Sequence, residues 1–163
     1  MMQPSSFKAF FLATIPCLVR KFIVNEYAVF IPISIQSPRI TGHILALLDT
    51  GSPFTVISPR DLERFRISLK TLANTPAPTV SLAGFKFKRH SLGSATIHLR
   101  DKDDAVVSFQ TECFNMIGPT KIDKKTSKEL QAIPSLIGND FLREIRATFV
   151  FNPSDKVAFL EIP

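Results

Sequence analysis

Residues 45–54 read Leu-Ala-Leu-Leu-Asp-Thr-Gly-Ser-Pro-Phe. An apolar run over residues 44–48 delivers one carboxylate, Asp49, and Thr50, Gly51 and Ser52 follow at once. A polar group left unpaired in an apolar surround costs roughly 2–7 kcal/mol, and an ionised one costs more. The residues after Asp49 are small and rich in donors. Two carry hydroxyls, and the glycine lets its backbone N–H approach closely. The stretch is therefore suited to holding a buried carboxylate at the end of a strand. A plain strand and turn would use the same residue types, because Asp, Gly and Ser favour turns.

A second stretch decides between these readings. Residues 135–142 read Ser-Leu-Ile-Gly-Asn-Asp-Phe-Leu. Together the two resemble the retroviral-type (retropepsin-like) aspartic protease family. There an apolar strand ends in Asp-Thr/Ser-Gly-Ala/Ser, and an apolar pair followed by Gly crosses beside it ahead of a short helix. The matching residues are Leu47-Leu48-Asp49-Thr50-Gly51-Ser52 and Leu136-Ile137-Gly138, then Asn139-Asp140-Phe141-Leu142. The resemblance spans about residues 27–162.

That resemblance implies an all-β, retropepsin-like closed barrel with one or two short helices, functional as a two-fold homodimer. It implies an aspartic endopeptidase acting on peptide or protein substrates without metal or organic cofactor. Asp49, Thr50 and Gly51 take the catalytic positions. Thr50 would hydrogen-bond across the two-fold axis, and the Gly51 N–H and Ser52 hydroxyl would face the carboxylates. Leu136, Ile137 and Gly138 would back the loop. Leu82, Ala83, Gly84 and Phe85 fall where the family carries its flap, the lid over a bound peptide. Residues 159–162 would pair between subunits.

Chemistry gives a separate reason for a dimer. Hydrolysis by carboxylates needs two, one as base on a water and one protonated to polarise the carbonyl. Two carboxylates about 3 Å apart share a proton and titrate as a pair, and aspartic protease dyads are the usual illustration of this. The chain has one Asp-Thr-Gly and no second copy. One Asp49 from each subunit on a two-fold axis would complete the dyad.

Composition is consistent with one globular domain. The chain has 163 residues, 45% of them hydrophobic, which is enough for a real core. Twelve prolines among short apolar runs favour many turns and few long helices. The formal charge of +6 raises nucleic acid or an anionic membrane as partners. The basic residues are scattered, however, and the runs at residues 86–90 and 121–125 read as solvated loop or hairpin faces. Cys17 and Cys113 form no CxxC or Cys/His cluster, so no zinc site is expected and both read as free thiols in a reducing, cytoplasmic setting.

Taken in order, residues 1–25 are a hydrophobic N-terminal arm or a targeting segment. Membrane contact is expected only in the second case. The apolar run at residues 7–19 is short for a spanning helix and is interrupted by Pro16. The resemblance implies that residues 26–163 are the protease domain. Strands are expected over residues 27–36, where Pro32 favours an edge or bulge, and over 40–48 and 54–58. Ser58, Pro59 and Asp61 form a helix-start signal. Residues 71–79 read as loop, and residues 79–100 as two strands turning at Ala83-Gly84. Residues 105–118 read as one strand, and Asp101, Asp103 and Asp104 as a turn rather than a metal cluster. Residues 119–134 form an insertion with a short helix over residues 127–132. A helix over residues 140–146, capped by Asn139, and a terminal hairpin close the chain. His90 and His98 read as strand residues, with no G-x-S-x-G elbow to pair with them. Two competing functions remain: a catalytically inactive binding or assembly module of the same fold, and a basic nucleic-acid-binding β domain.

Overall fold

The computed structural model describes residues 13–23 and 26–163. The first twelve residues, nearly half of the expected arm, lie outside the described residues. Its described part forms β1 (Ala13–Pro16) and β2 (Leu18–Lys21). β1 pairs with the C-terminal strand and β2 with β3 (Tyr27–Gln36).

β3 and β4 (Thr41–Leu48) form the longest hairpin. Ser37 shapes its turn, its Oγ accepting from the N–H groups of Arg39 and Ile40. Ile44, Ala46 and Leu48 enter the main core, while Leu45 and Leu47 face the other way, as the two-residue strand period requires. Pro32 is not on an edge strand, because β3 is flanked by β4 and also by β2 and β8 (Ala95–Arg100). On that second flank β2 stops at Phe30 and β8 begins at Ser34. Pro32 lies in the gap, where a residue without an N–H breaks no ladder on that side.

β5 (Val56–Ile57) follows the Asp49 loop and leads into α1 (Pro59–Arg64). A helix not expected from sequence, α2 (Leu69–Asn74), comes next, its N-cap Ser68 accepting from the Thr71 N–H. β6 (Thr79–Leu82) and β7 (Phe85–Ser91) turn at Ala83-Gly84, with φ of 48° and 79°. Residues 79–100 hold three strands, not two, because β8 leaves this hairpin to pair with β3. β9 (Val106–Thr111) follows β8 after a turn in which Asp101 Oδ1 accepts from the N–H groups of Asp103 and Ala105. The expected single strand over residues 105–118 is two. β9 lies beside β8, and β10 (Asn115–Pro119) crosses to pair with β7 and β5.

The insertion forms α3 (Lys124–Leu130), capped by Asp123 through the Thr126 N–H. β11 (Leu136–Ile137) and α4 (Asn139–Glu144) carry the second motif. β12 (Thr148–Asn152) and β13 (Val157–Ile162) end the chain.

The protein is mostly β with four short helices among the described residues, not one or two. The strands form an open sheet of order β6-β7-β10-β5-β11-β4-β3-β8-β9, with β2 beside β3, and a separate sheet β1-β13-β12. The expected closed barrel is not seen. Closure needs the end strands to pair with each other, but among the described residues β6 pairs only with β7 and β9 only with β8. Residues 159–162, expected to pair between subunits, are bonded within the chain on both edges of β13, to β1 and to β12.

Candidate active site

The site rests on one crossing. β11 inserts between the two strands that flank the Asp49 loop, running parallel to β4 and antiparallel to β5. Leu136 and Ile137 stand opposite Leu47 and Leu48. The N–H of Asp49 donates to the Ile137 carbonyl at 3.0 Å, and that of Leu47 to Ser135 at 2.8 Å. Past the carboxylate, the Asn139 N–H donates to the Ser52 carbonyl at 2.9 Å, so the loop is tied to the second motif on both sides of Asp49.

Beyond the strand the chain turns on itself. The Gly51 N–H donates to Asp49 Oδ1 at 2.9 Å, and the Ser52 N–H to the Asp49 carbonyl at 3.1 Å. The Ser52 hydroxyl does not face the carboxylate; it donates to the Phe54 carbonyl at 2.8 Å. Asp49 is half-buried, while Thr50, Gly51 and Pro53 are exposed and Ser52 is buried. The carboxylate and its two neighbours therefore sit at the surface of the single chain on a buried base.

Two acid-to-hydroxyl braces hold that base. Asp140, in the first turn of α4, accepts from the Thr55 N–H at 3.0 Å and from Thr55 Oγ1 at 2.7 Å. Thr55 Oγ1 in turn accepts from the Gly138 N–H at 2.9 Å. Reciprocally, Asp61 in the first turn of α1 accepts from Ser135 Oγ at 2.6 Å, and Ser135 Oγ accepts from the Ser58 N–H at 3.0 Å. Asp61 is fully buried and also meets Arg60 and Arg64 at 3.3 and 3.2 Å. Each helix following a crossing strand thus grips the start of the opposite strand. These braces were not anticipated from sequence; the signal for them was an acid in the first turn of each helix.

Ser58 and Asn139 stand where helix caps were expected, but neither side chain caps. Ser58 is the N-cap residue of α1, yet its Oγ is buried without a partner. Gly138 is the N-cap of α4, and Asn139 Nδ2 instead donates to the Thr50 carbonyl. Gly138 is required for close approach: a Cβ there would lie 2.5 Å from the Phe54 carbonyl oxygen and 2.8 Å from that of Ser52.

The β6–β7 hairpin faces this base. Val80, Leu82, Phe85 and Phe87 join Leu47, Phe54, Val56, Ile117, Leu130, Ile133 and Leu136 in one apolar cluster, separate from the main core. Leu82 and Phe85 are thereby brought to the Asp49 region, while Ala83 and Gly84 form the exposed tip. The insertion contributes Leu130 and Ile133 to the same cluster. His90 is buried with Nε2 unpartnered and its pKa is lowered, mainly by burial and then by Lys88 and Arg39. His98 Nδ1 lies 2.7 Å from Ser108 Oγ across the β8–β9 pair.

Neither family models nor curated proteins match this sequence. Solved structures do. A retropepsin-like aspartic protease from Rickettsia conorii is similar over 91% of this chain and 90% of its own, at 15% identity and a TM-score of 0.51. The retroviral protease-like domain of Ddi1 from Leishmania major is similar over 82% of this chain and 94% of its own, at 15% identity and a TM-score of 0.41. The crossing of β11 through the Asp49 loop and the likeness to the Rickettsia structure lead to one statement: this chain has a retropepsin-like fold.

Proposed function

We propose that the protein is an aspartic endopeptidase that acts as a homodimer, with one Asp49 from each subunit forming the dyad. The observation that carries this is a single surface carboxylate fixed by the Gly51 N–H on a loop clamped from both sides. The nearest candidate for a second catalytic acid in the same motif, Asp140, is occupied by Thr55. A half-site of this kind calls for a second copy. Of the two Asp49 carboxylates, one deprotonates the attacking water and the other, protonated, donates to the peptide carbonyl. Thr50 bonds across the axis, Ser52, Leu136, Ile137 and Gly138 support the loop, and the β6–β7 hairpin closes over an extended peptide. Residues 26–163 make up the protease unit. Both cysteines are free, which fits a cytoplasmic setting. No described helix is long and apolar enough to cross a membrane.

The test is cleavage of casein across pH 3–8 by the wild type and by Asp49→Asn, with and without a statine-type transition-state inhibitor. Cleavage abolished by both the substitution and the inhibitor is the expected result. No cleavage by a protein that sediments as a dimer would transfer the reading to a binding or assembly module.

A further inference from the structure

The β6–β7 hairpin carries one cation on its apolar face. Along β7, Phe85, Phe87 and Arg89 point one way and Lys86, Lys88 and His90 the other, by the two-residue strand period. Phe85 and Phe87 belong to the cluster that contains Phe54, Leu47 and Leu136. Arg89 continues their stripe, opposite Ile117 of the same cluster. Its guanidinium carbon lies 4.3 Å from the centroid of the Phe54 ring, five residues beyond Asp49.

The neighbouring cations are engaged elsewhere or face away. Lys88 Nζ donates to the Ala73 and Thr75 carbonyls at the end of α2, Arg39 donates to the Ser91 carbonyl, and Lys86 is exposed on the opposite face. Arg89 forms no ion pair among the described residues, whose two pairs are both made by Asp61. It is half-buried. The Arg89 guanidinium makes no hydrogen bond among the described residues, so its edge of N–H donors is open beside the Phe54 ring. That edge matches a carboxylate in a bidentate pair, and partial desolvation strengthens such a pair.

We propose that Arg89 sets substrate specificity: the cleft takes an extended peptide with large apolar side chains near the cleaved bond and an acidic side chain held on the Arg89 guanidinium. This rests on the protease reading above. Val80, Leu82, Phe85 and Phe54 supply the apolar walls, and Arg89 at the base of the hairpin supplies the charge. A strand-like peptide presents alternate side chains to one wall, so the acid stands at a fixed distance from the cleaved bond. In a two-fold dimer the second Arg89 offers the same contact on the other side of that bond.

The experiment uses the tryptic peptides of a whole-cell lysate as probe. The wild type, Arg89→Gln, Arg89→Lys and Lys86→Gln are each incubated with them, and new termini are read by mass spectrometry. In parallel, immobilised Asp49→Asn protein, with and without Arg89→Gln, captures peptides from the same mixture. The expected result is Glu or Asp enriched at a fixed position from the cleaved bond. Arg89→Gln should abolish that enrichment and lower kcat/KM for an acidic peptide about tenfold relative to its Gln counterpart. Arg89→Lys should retain part of the preference, and Lys86→Gln, with the same charge loss on the opposite face, should leave it intact. An enrichment unchanged by Arg89→Gln, or lost equally with Lys86→Gln, overturns the proposal as a net-charge effect. Absence of Asp49-dependent cleavage overturns the protease reading instead, and the capture arm then decides the Arg89 contact by itself: acidic enrichment that needs Arg89 supports it, and none overturns it.

Discussion

Asp140 is the residue on which the loop geometry depends most directly. Its carboxylate accepts both the N–H and the hydroxyl of Thr55, a buried residue. Removing a charged acceptor leaves those donors unpaired at a cost of about 3 kcal/mol. Asp140→Ala should lose that much in urea denaturation, and Asp140→Asn, which retains an acceptor, should lose less. His90 acts through protonation. Its folded pKa lies below the ordinary 6.5, so charging the ring opposes the folded state. Its contribution is therefore present above about pH 6.5 and is lost as the pH falls below that value. Urea midpoints should fall between pH 7 and 5, and less steeply in His90→Gln. The thiols respond in the opposite range. Burial raises Cys17 to about 12, and burial with the Glu144 carboxylate raises Cys113 to about 11. Both should resist iodoacetamide at pH 8 until the protein is unfolded.

At the scale of elements, the crossing and the hairpin make separate predictions. A methyl at Gly138 would meet the backbone of Phe54 and Ser52, not a side chain that can swing away. Gly138→Ala should cost about 1–3 kcal/mol and lower kcat even where the protein is fully folded, because the shift falls on the Asp49 loop. The hairpin tip is strained by the opposite circumstance. Ala83 holds φ of 48° with a Cβ, whereas Gly84 beside it does not pay that penalty. Ala83→Asn suits the two-residue turn and should stabilise the hairpin by roughly 1 kcal/mol. Slower amide exchange across Val80 to Phe87 would show it. Both elements were legible in sequence, the hairpin from its alternation and Gly, and the crossing from Leu136-Ile137-Gly138. α2 was not, since Pro76 and Pro78 after it made the whole stretch read as loop. What holds it lies far along the chain: its own Leu72 packs into the core, and Lys88 of β7 donates to the Ala73 carbonyl near its end.

For the whole molecule, assembly is the quantity that matters. If two Asp49 side chains make one dyad, activity follows the dimer and not the protomer. Specific activity should fall on dilution, and below the dimer dissociation constant the rate should scale with the square of protomer concentration. Analytical sedimentation over the same range provides the check. Within the protomer, β1 and β12 occupy both edges of β13. Among the described residues, the edge strands of its sheet are β1 and β12.

Sequence alone determined the features that are written locally. Asp49-Thr50-Gly51-Ser52 at the end of an apolar run, the apolar pair before Gly138, the strand alternation and the turn residues are short-range patterns, and each reflects a local backbone or burial requirement. Tertiary structure alone decided what depends on partners far apart in the chain. It left the sheet open, because among the described residues β6 and β9 each find a single neighbour. It gave β13 two intrachain partners. It set Asp140 on Thr55, Asp61 on Ser135 and Arg89 on Phe54. A hydrogen bond or a stacked pair is a property of two positions in space, and nothing in either residue's own neighbourhood specifies the other.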